Sequence, residues 1–146
     1  MALGAADVWT GSIWLTTKES DCVPALVDKM LVATSKDTVR SKCISGKPAR
    51  QLKTTYTEAW DTGADSPGTR SMPLQFMATA DATQRIHRHA ETKKPGSAEL
   101  LGTPVGQVVG QMNRVKEVRQ VVFEMVDEYL DTVGRMSALL EAAAAE

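Results

Sequence analysis

The sequence predicts an α/β chain that is mostly helical. Three observations carry this: a short apolar run at the start that reads as a strand, a Gly-containing turn directly after it, and about four helical patterns behind that. Residues 1–35 read as strand, turn and helix, and residues 36–146 as a mainly helical extension of the same domain. With 146 residues, 42% hydrophobic and 24% charged, the chain has the make-up of one globular domain. A complete (β/α)₈ barrel needs ~250 residues, so any kinship with such a fold must be partial.

Residues 3–9, Leu-Gly-Ala-Ala-Asp-Val-Trp, form the strand candidate, apolar enough to be buried on both faces. Thr10-Gly11-Ser12 interrupts it, and with Thr10 or Ser12 as N-cap a helical turn is expected to start near Gly11. Asp21 is positioned to cap the next helix, with Pro24 in its first turn, Leu26, Met30, Leu31 and Ala33 on one face, and its end near Ser35. Pro48 is placed to open a third helix carrying Ala49, Leu52, Tyr56, Ala59 and Trp60. Residues 61–73 read as a loop, 74–89 as a fourth helix, and Lys93-Lys94-Pro95-Gly96-Ser97 as another loop.

The last element has the plainest signal. Val115, Val118, Val121, Val122, Met125, Val126, Tyr129, Leu130, Val133, Met136, Leu139 and Leu140 mark the apolar stripe of a long amphipathic helix that needs something to dock on, followed by a tail at 142–145 expected to fray. A lone strand would leave both its edges unpaired, so either residues 3–9 are not a strand or its neighbours lie elsewhere.

Composition narrows the function. Asp7, Lys18 and Lys29 break every apolar run before it reaches the ~20 residues that span a bilayer. With no basic residue ahead of the apolar start, a cleavable signal is not indicated, and the expected location is cytoplasmic. Cys22 and Cys43 have no C-x-x-C partner and read as buried or incidental thiols. A net charge of −1 argues against a nucleic-acid binder. The six basic residues within 36–53 (Lys36, Arg40, Lys42, Lys47, Arg50, Lys53) then read as a solvated face before a polyanion grip.

Each candidate site has an ordinary reading beside the chemical one. After a strand, Thr10-Gly11-Ser12 offers backbone N–H groups, a hydroxyl and an open approach, the ingredients of a phosphate cradle and equally of a capped turn. Gly46-Lys47 is no P-loop, because Ser41 stands where the first Gly belongs and Pro48 where Ser or Thr would hold magnesium. His87 and His89, two apart, face different sides of a helix and make no i, i+4 metal pair. Gly106 and Gly110 read as a tight loop or close packing. No nucleophile–base arrangement or metal site emerges.

Several of these features occur in an order that resembles the C-terminal portion of the nitronate monooxygenases, formerly 2-nitropropane dioxygenases. The residues concerned are 3–12 with Leu15 and Glu19-Ser20, then Ser45-Gly46-Lys47-Pro48-Ala49-Arg50, Pro73-Leu74-Gln75, Gly106-Gln107 and the final helix, nearly the whole chain up to about Met136.

The resemblance implies the last strand and following helices of a TIM barrel with a helical C-terminal extension. It further implies a flavoprotein that uses FMN and O₂ to oxidise alkyl nitronates to a carbonyl compound and nitrite. By position, Trp9, Thr10, Gly11 and Ser12 would border the FMN phosphate, while the family's catalytic His lies upstream of the matched region and corresponds to neither His87 nor His89. Ser12 stands where Thr is common, and Ile13-Trp14 replaces an Arg-Phe or Ala-Phe pair. The implied partners are a small nitronate and O₂, with no nucleic acid or membrane, and the chain alone is expected to be inactive. The competing expectation is a stand-alone helical module that dimerises through residues 115–140.

Overall fold

A computed structural model describes residues 5–62 and 65–144. Residues 12–16 form a 3₁₀ turn whose N-cap is Gly11. Helix α1 spans Pro24–Val32, strand β1 Thr38–Ser41, β2 Ala49–Leu52, and helix α2 Thr55–Asp61. Helix α3 follows at Leu74–Glu91, then α4 at Ser97–Leu100, a 3₁₀ turn at Gln107–Gln111, and α5 at Val118–Ala144. No described helix is long and apolar enough to cross a membrane.

The predicted strand 3–9 is corrected. Leu3 and Gly4 lie outside the described residues, and residues 5–9 are not a strand. Val8 and Trp9 are 72% and 100% exposed, and among the described residues no strand pairs with this segment. The α/β character comes instead from a hairpin the sequence reading missed. Strands β1 and β2 pair antiparallel, Thr38 opposite Leu52 and Arg40 opposite Arg50. On the far edge of β2, Leu52 N–H donates to Thr103 O and Val105 N–H to Arg50 O, each at 3.1 Å.

Pro48 therefore precedes a strand, not a helix. The helix begins only after Thr54, whose side chain accepts the Thr57 N–H while the Thr57 hydroxyl accepts the Thr54 N–H, a reciprocal cap that resets the chain from extended to helical. Helix α1 is capped by Val23 without a side-chain bond, so Asp21 does not perform the expected role, and Pro24 takes the first helical position. The helix stops at Val32, short of Ser35.

Leu26 and Met30 of α1 meet Leu52, Ala90, Leu101, Val105, Val109 and Met112 in the core. Lys29 ties α1 to α4 by donating to the carbonyls of Ala98 (2.8 Å), Glu99 (3.3 Å) and Leu101 (2.8 Å), the orphaned acceptors of a helix end. Gly110 packs so tightly on the Thr34–Ser35 backbone that a Cβ there would sit 2.9 Å from Ser35 N, which fits the close-packing reading at Gly110, whereas a Cβ at Gly106 would meet only ordinary contacts at 3.5 Å and beyond.

Among the described residues helix α5 is fixed within its first two turns, where Glu124 pairs with Lys116 and Arg114. The Glu19 carboxylate accepts the Val118 N–H, Lys18 N–H donates to Lys116 O at 2.9 Å, and Val121 is buried. Beyond those turns Val126, Tyr129, Leu130, Val133, Met136 and Leu140 all remain exposed. The helix continues to Ala144, through most of the expected fraying tail.

Candidate functional site

The turn at 10–12 is built by its own neighbours. Trp14 Nε1 donates to Thr10 O at 3.1 Å, and Trp14 N–H bonds Gly11 O at 3.3 Å. The indole thus pins the turn through a bond that a phenyl side chain could not make. The first turn bond comes from Trp14, so the N–H groups of Ser12 and Ile13 precede it and have no partner inside the turn. Gly11 is exposed, and a Cβ built on it would meet nothing within 4 Å. The glycine keeps the approach open without being required by packing.

Neither Thr10 nor Ser12 caps the turn, contrary to expectation. Ser12 Oγ instead accepts the Gly106 N–H at 2.9 Å, which joins the turn to the Gly106-Gln107 loop. A hydroxyl that accepts this bond still has its own proton to donate. Thr10 is half-buried and Trp9 fully exposed, so the four residues assigned by position form one continuous edge running from solvent to the Gly106 loop.

That edge borders a groove of about 940 Å³ whose walls are Val8 and Thr10 on one side and α5, from Met125 to Leu140, on the other. Nearer the core a second cavity of about 310 Å³ lies between Ile13, Thr16 and Met112, with Arg114, Lys116 and Glu124 at its polar side. Lys116 and Arg114 both pair with Glu124 there, so their charges are already met. A small, partly open pocket of about 20 Å³ beside Gln51 and Tyr56 has room for little more than a water and none for a flavin.

The segments at Ser45–Arg50 and Pro73–Gln75 are structural. Gly46 has φ +81°, and a Cβ there would strike Arg70 O and lie 2.8 Å from Met72 N. Gln75, fully buried, donates from Nε2 to Cys43 O at 2.7 Å and accepts the Arg70 N–H at 2.9 Å, while Thr79 Oγ1 donates to Ile44 O at 3.1 Å. Residues 43–46, at the start of the Ser45–Arg50 segment, and residues 70–79, which include Pro73–Gln75, therefore form one clasp between the hairpin turn and α3. Spacing alone did not show it, because their contact is made through backbone carbonyls.

Among the described residues no cluster of His, Cys, Asp and Glu could hold a metal ion. Cys22 and Cys43 are free, Cys43 buried with its thiol pushed above the usual range chiefly by that burial. Sequence reasoning missed the Ser12–Gly106 bond and the Glu19 cap on α5. It did mark the Gly106 loop and the helical stripe, which are the two elements now seen to flank the turn.

The architecture defines a class first: a partial TIM-barrel-like α/β chain, mostly helical. It is similar to FabK from Thermotoga maritima, a TIM-barrel protein, with a TM-score of 0.67 at 25% identity over 94% of this chain and 41% of FabK. A point mutant of the same FabK aligns with a TM-score of 0.60 at 26% identity, over 94% of this chain and 37% of that one. A Mycobacterium tuberculosis protein assigned by name to the monooxygenases is 48% identical over 141 residues, 97% of this chain and 37% of that protein. The nitronate monooxygenase family profile matches residues 1–128, and the chain belongs to that family. It spans little more than a third of the length of these relatives.

Proposed function

We propose that the chain is the C-terminal part of an FMN-dependent nitronate monooxygenase and that it supplies one wall of the FMN phosphate site. The carrying observation is the turn that opens at the exposed Gly11, where the Ser12 N–H precedes the first turn bond and the Ser12 hydroxyl is free to donate. Phosphate suits such donors, and TIM-barrel enzymes place phosphate at the turns after their last strands. Family membership, the FabK-like fold and the monooxygenase relative support the same reading.

In this reading Gly11 and Ser12 bind the phosphate through backbone N–H groups, the Ser12 hydroxyl adds a third donor, and Thr10 and Trp9 border it. When bound, FMN supplies the redox chemistry that takes electrons from an alkyl nitronate and passes them to O₂. No residue of this chain is assigned an acid–base role, so the chain by itself has no turnover, and its setting is cytoplasmic.

The test compares the chain alone with a chimera in which it replaces the corresponding 37% of the mycobacterial relative. The chimera is expected to copurify with FMN and to lose affinity on Ser12→Ala, while the chain alone oxidises no alkyl nitronate. Robust turnover by the 146 residues alone would falsify the assignment.

A further inference from the structure

Two buried polar atoms have no hydrogen-bond partner among the described residues, Nε2 of the Gln51 amide and the hydroxyl of Tyr56. They belong to different elements, Gln51 to β2 and Tyr56 to α2, yet both residues line the same pocket of about 20 Å³. Gln51 is 2% exposed, and its Oε1 already accepts the Cys43 thiol at 3.6 Å, which leaves Nε2 over. Orphaned donors inside a protein are rare, and leaving one unmet costs more than an ordinary hydrogen bond contributes.

The chemistry of the pair selects what would answer it. Nε2 can only donate. Burial above all pushes the Tyr56 phenol above its ordinary value, so it keeps its proton and is a donor too. The hydroxyls of Thr79 and Thr83 and the Trp60 side chain lie near that phenol but outside bonding geometry, and the Thr79 hydroxyl is already engaged with Ile44 O. A ligand must therefore bring two acceptor sites on one small centre, because the pocket accommodates a single water-sized atom. An ammonium or metal ion has no lone pair to offer. No Lys or Arg lines the pocket to offset the burial of an anion such as chloride. Water has two lone pairs, and Thr83 of α3, which also lines the pocket, offers an acceptor for one of its protons.

We propose that this pocket is the binding site of one structural water, which accepts from Gln51 Nε2 and the Tyr56 hydroxyl and donates to Thr83. It joins β2, α2 and the middle of α3, where the clasp at residues 43–46 holds only the first turns of that helix.

A crystal structure of the 146-residue chain should show one ordered water within hydrogen-bond distance of both Gln51 Nε2 and the Tyr56 hydroxyl. Urea unfolding of Tyr56→Phe gives a second reading through its sign. With the water in place, deleting the hydroxyl removes a bond and lowers the folding equilibrium constant about fivefold. With an unmet phenol, the same deletion relieves a buried donor and the constant holds or rises. The proposal is overturned by a site without ordered density, by a direct Tyr56–Thr83 bond in its place, by an anomalous peak there in bromide-soaked crystals, or by a Tyr56→Phe chain as stable as the parent.

Discussion

Ser12 Oγ accepts the backbone N–H of Gly106 at 2.9 Å, across 94 positions of sequence. One hydroxyl therefore fixes the candidate phosphate turn to the loop beside it and still presents a proton outward. Ser12→Ala removes the acceptor and leaves a part-buried N–H without a partner, a loss of about 1–2 kcal/mol. Ser12→Thr keeps the hydroxyl and should restore most of it. Urea unfolding of the three proteins checks this, and an alanine variant as stable as the parent would contradict it.

Gly46 and Gly68 both have positive φ, +81° and +71°, but only Gly46 is enclosed. Gly68→Ala meets nothing within 4 Å, so it suffers backbone strain alone, about 1 kcal/mol. Gly46→Ala adds a collision with the backbone of residues 70–72, which forces the clasp open, and about 3 kcal/mol is expected. Equal shifts in unfolding midpoint for the two variants would show that the clasp is softer than drawn.

How much of this was legible in sequence depends on the range of the forces involved. The long helix and α3 announced themselves because 3.6-residue periodicity is local. The hairpin did not: Ala49, Leu52 and Tyr56 mimic one helical face, and only the Thr54 cap and pairing to residues 38–41 and 103–105 settle Ala49–Leu52 as strand. Residues 5–9 misled for the opposite reason. Their apolar pattern describes a strand between neighbours, and a strand without neighbours has no hydrogen bonds to define it. At the candidate site, the Thr10–Ser12 turn was visible as residue types, whereas the Gly106 and Glu19 contacts required knowing what folds back.

The two thiols should react at very different rates. Cys43 is fully buried, its thiol is raised mainly by desolvation, and its sulfur lies 3.6 Å from Gln51 Oε1. Cys22 is half-buried in the segment before α1. A thiol-titrating reagent at neutral pH is expected to modify one group per chain rapidly, with the fast phase lost in Cys22→Ser and kept in Cys43→Ser. Two fast thiols would mean that the hairpin opens readily in solution.

Acid should weaken the hairpin entry and the root of α5. The Asp37 carboxyl is held below its ordinary value first by the Thr34 backbone N–H and then by the Thr34 hydroxyl, at 2.8 and 2.7 Å. Glu117 is lowered by Lys18, and Glu124 by Lys116 above all. Because each folded-state value lies below the unfolded one, the contribution is complete above the usual carboxylate range and disappears as pH falls through the folded values. Unfolding midpoints should therefore drop from about pH 5 to below pH 3, less steeply in Asp37→Asn and in Glu124→Gln. Salt separates the two origins. The Glu117 pair with Lys18 is exposed enough to be screened, so its share should shrink in high salt, whereas the part-buried Lys116–Glu124 pair is screened less and the Asp37 share, which rests on hydrogen bonds from one turn of backbone, should persist. A pH dependence that vanishes entirely in high salt would rule out the Asp37 cap as a source of acid sensitivity.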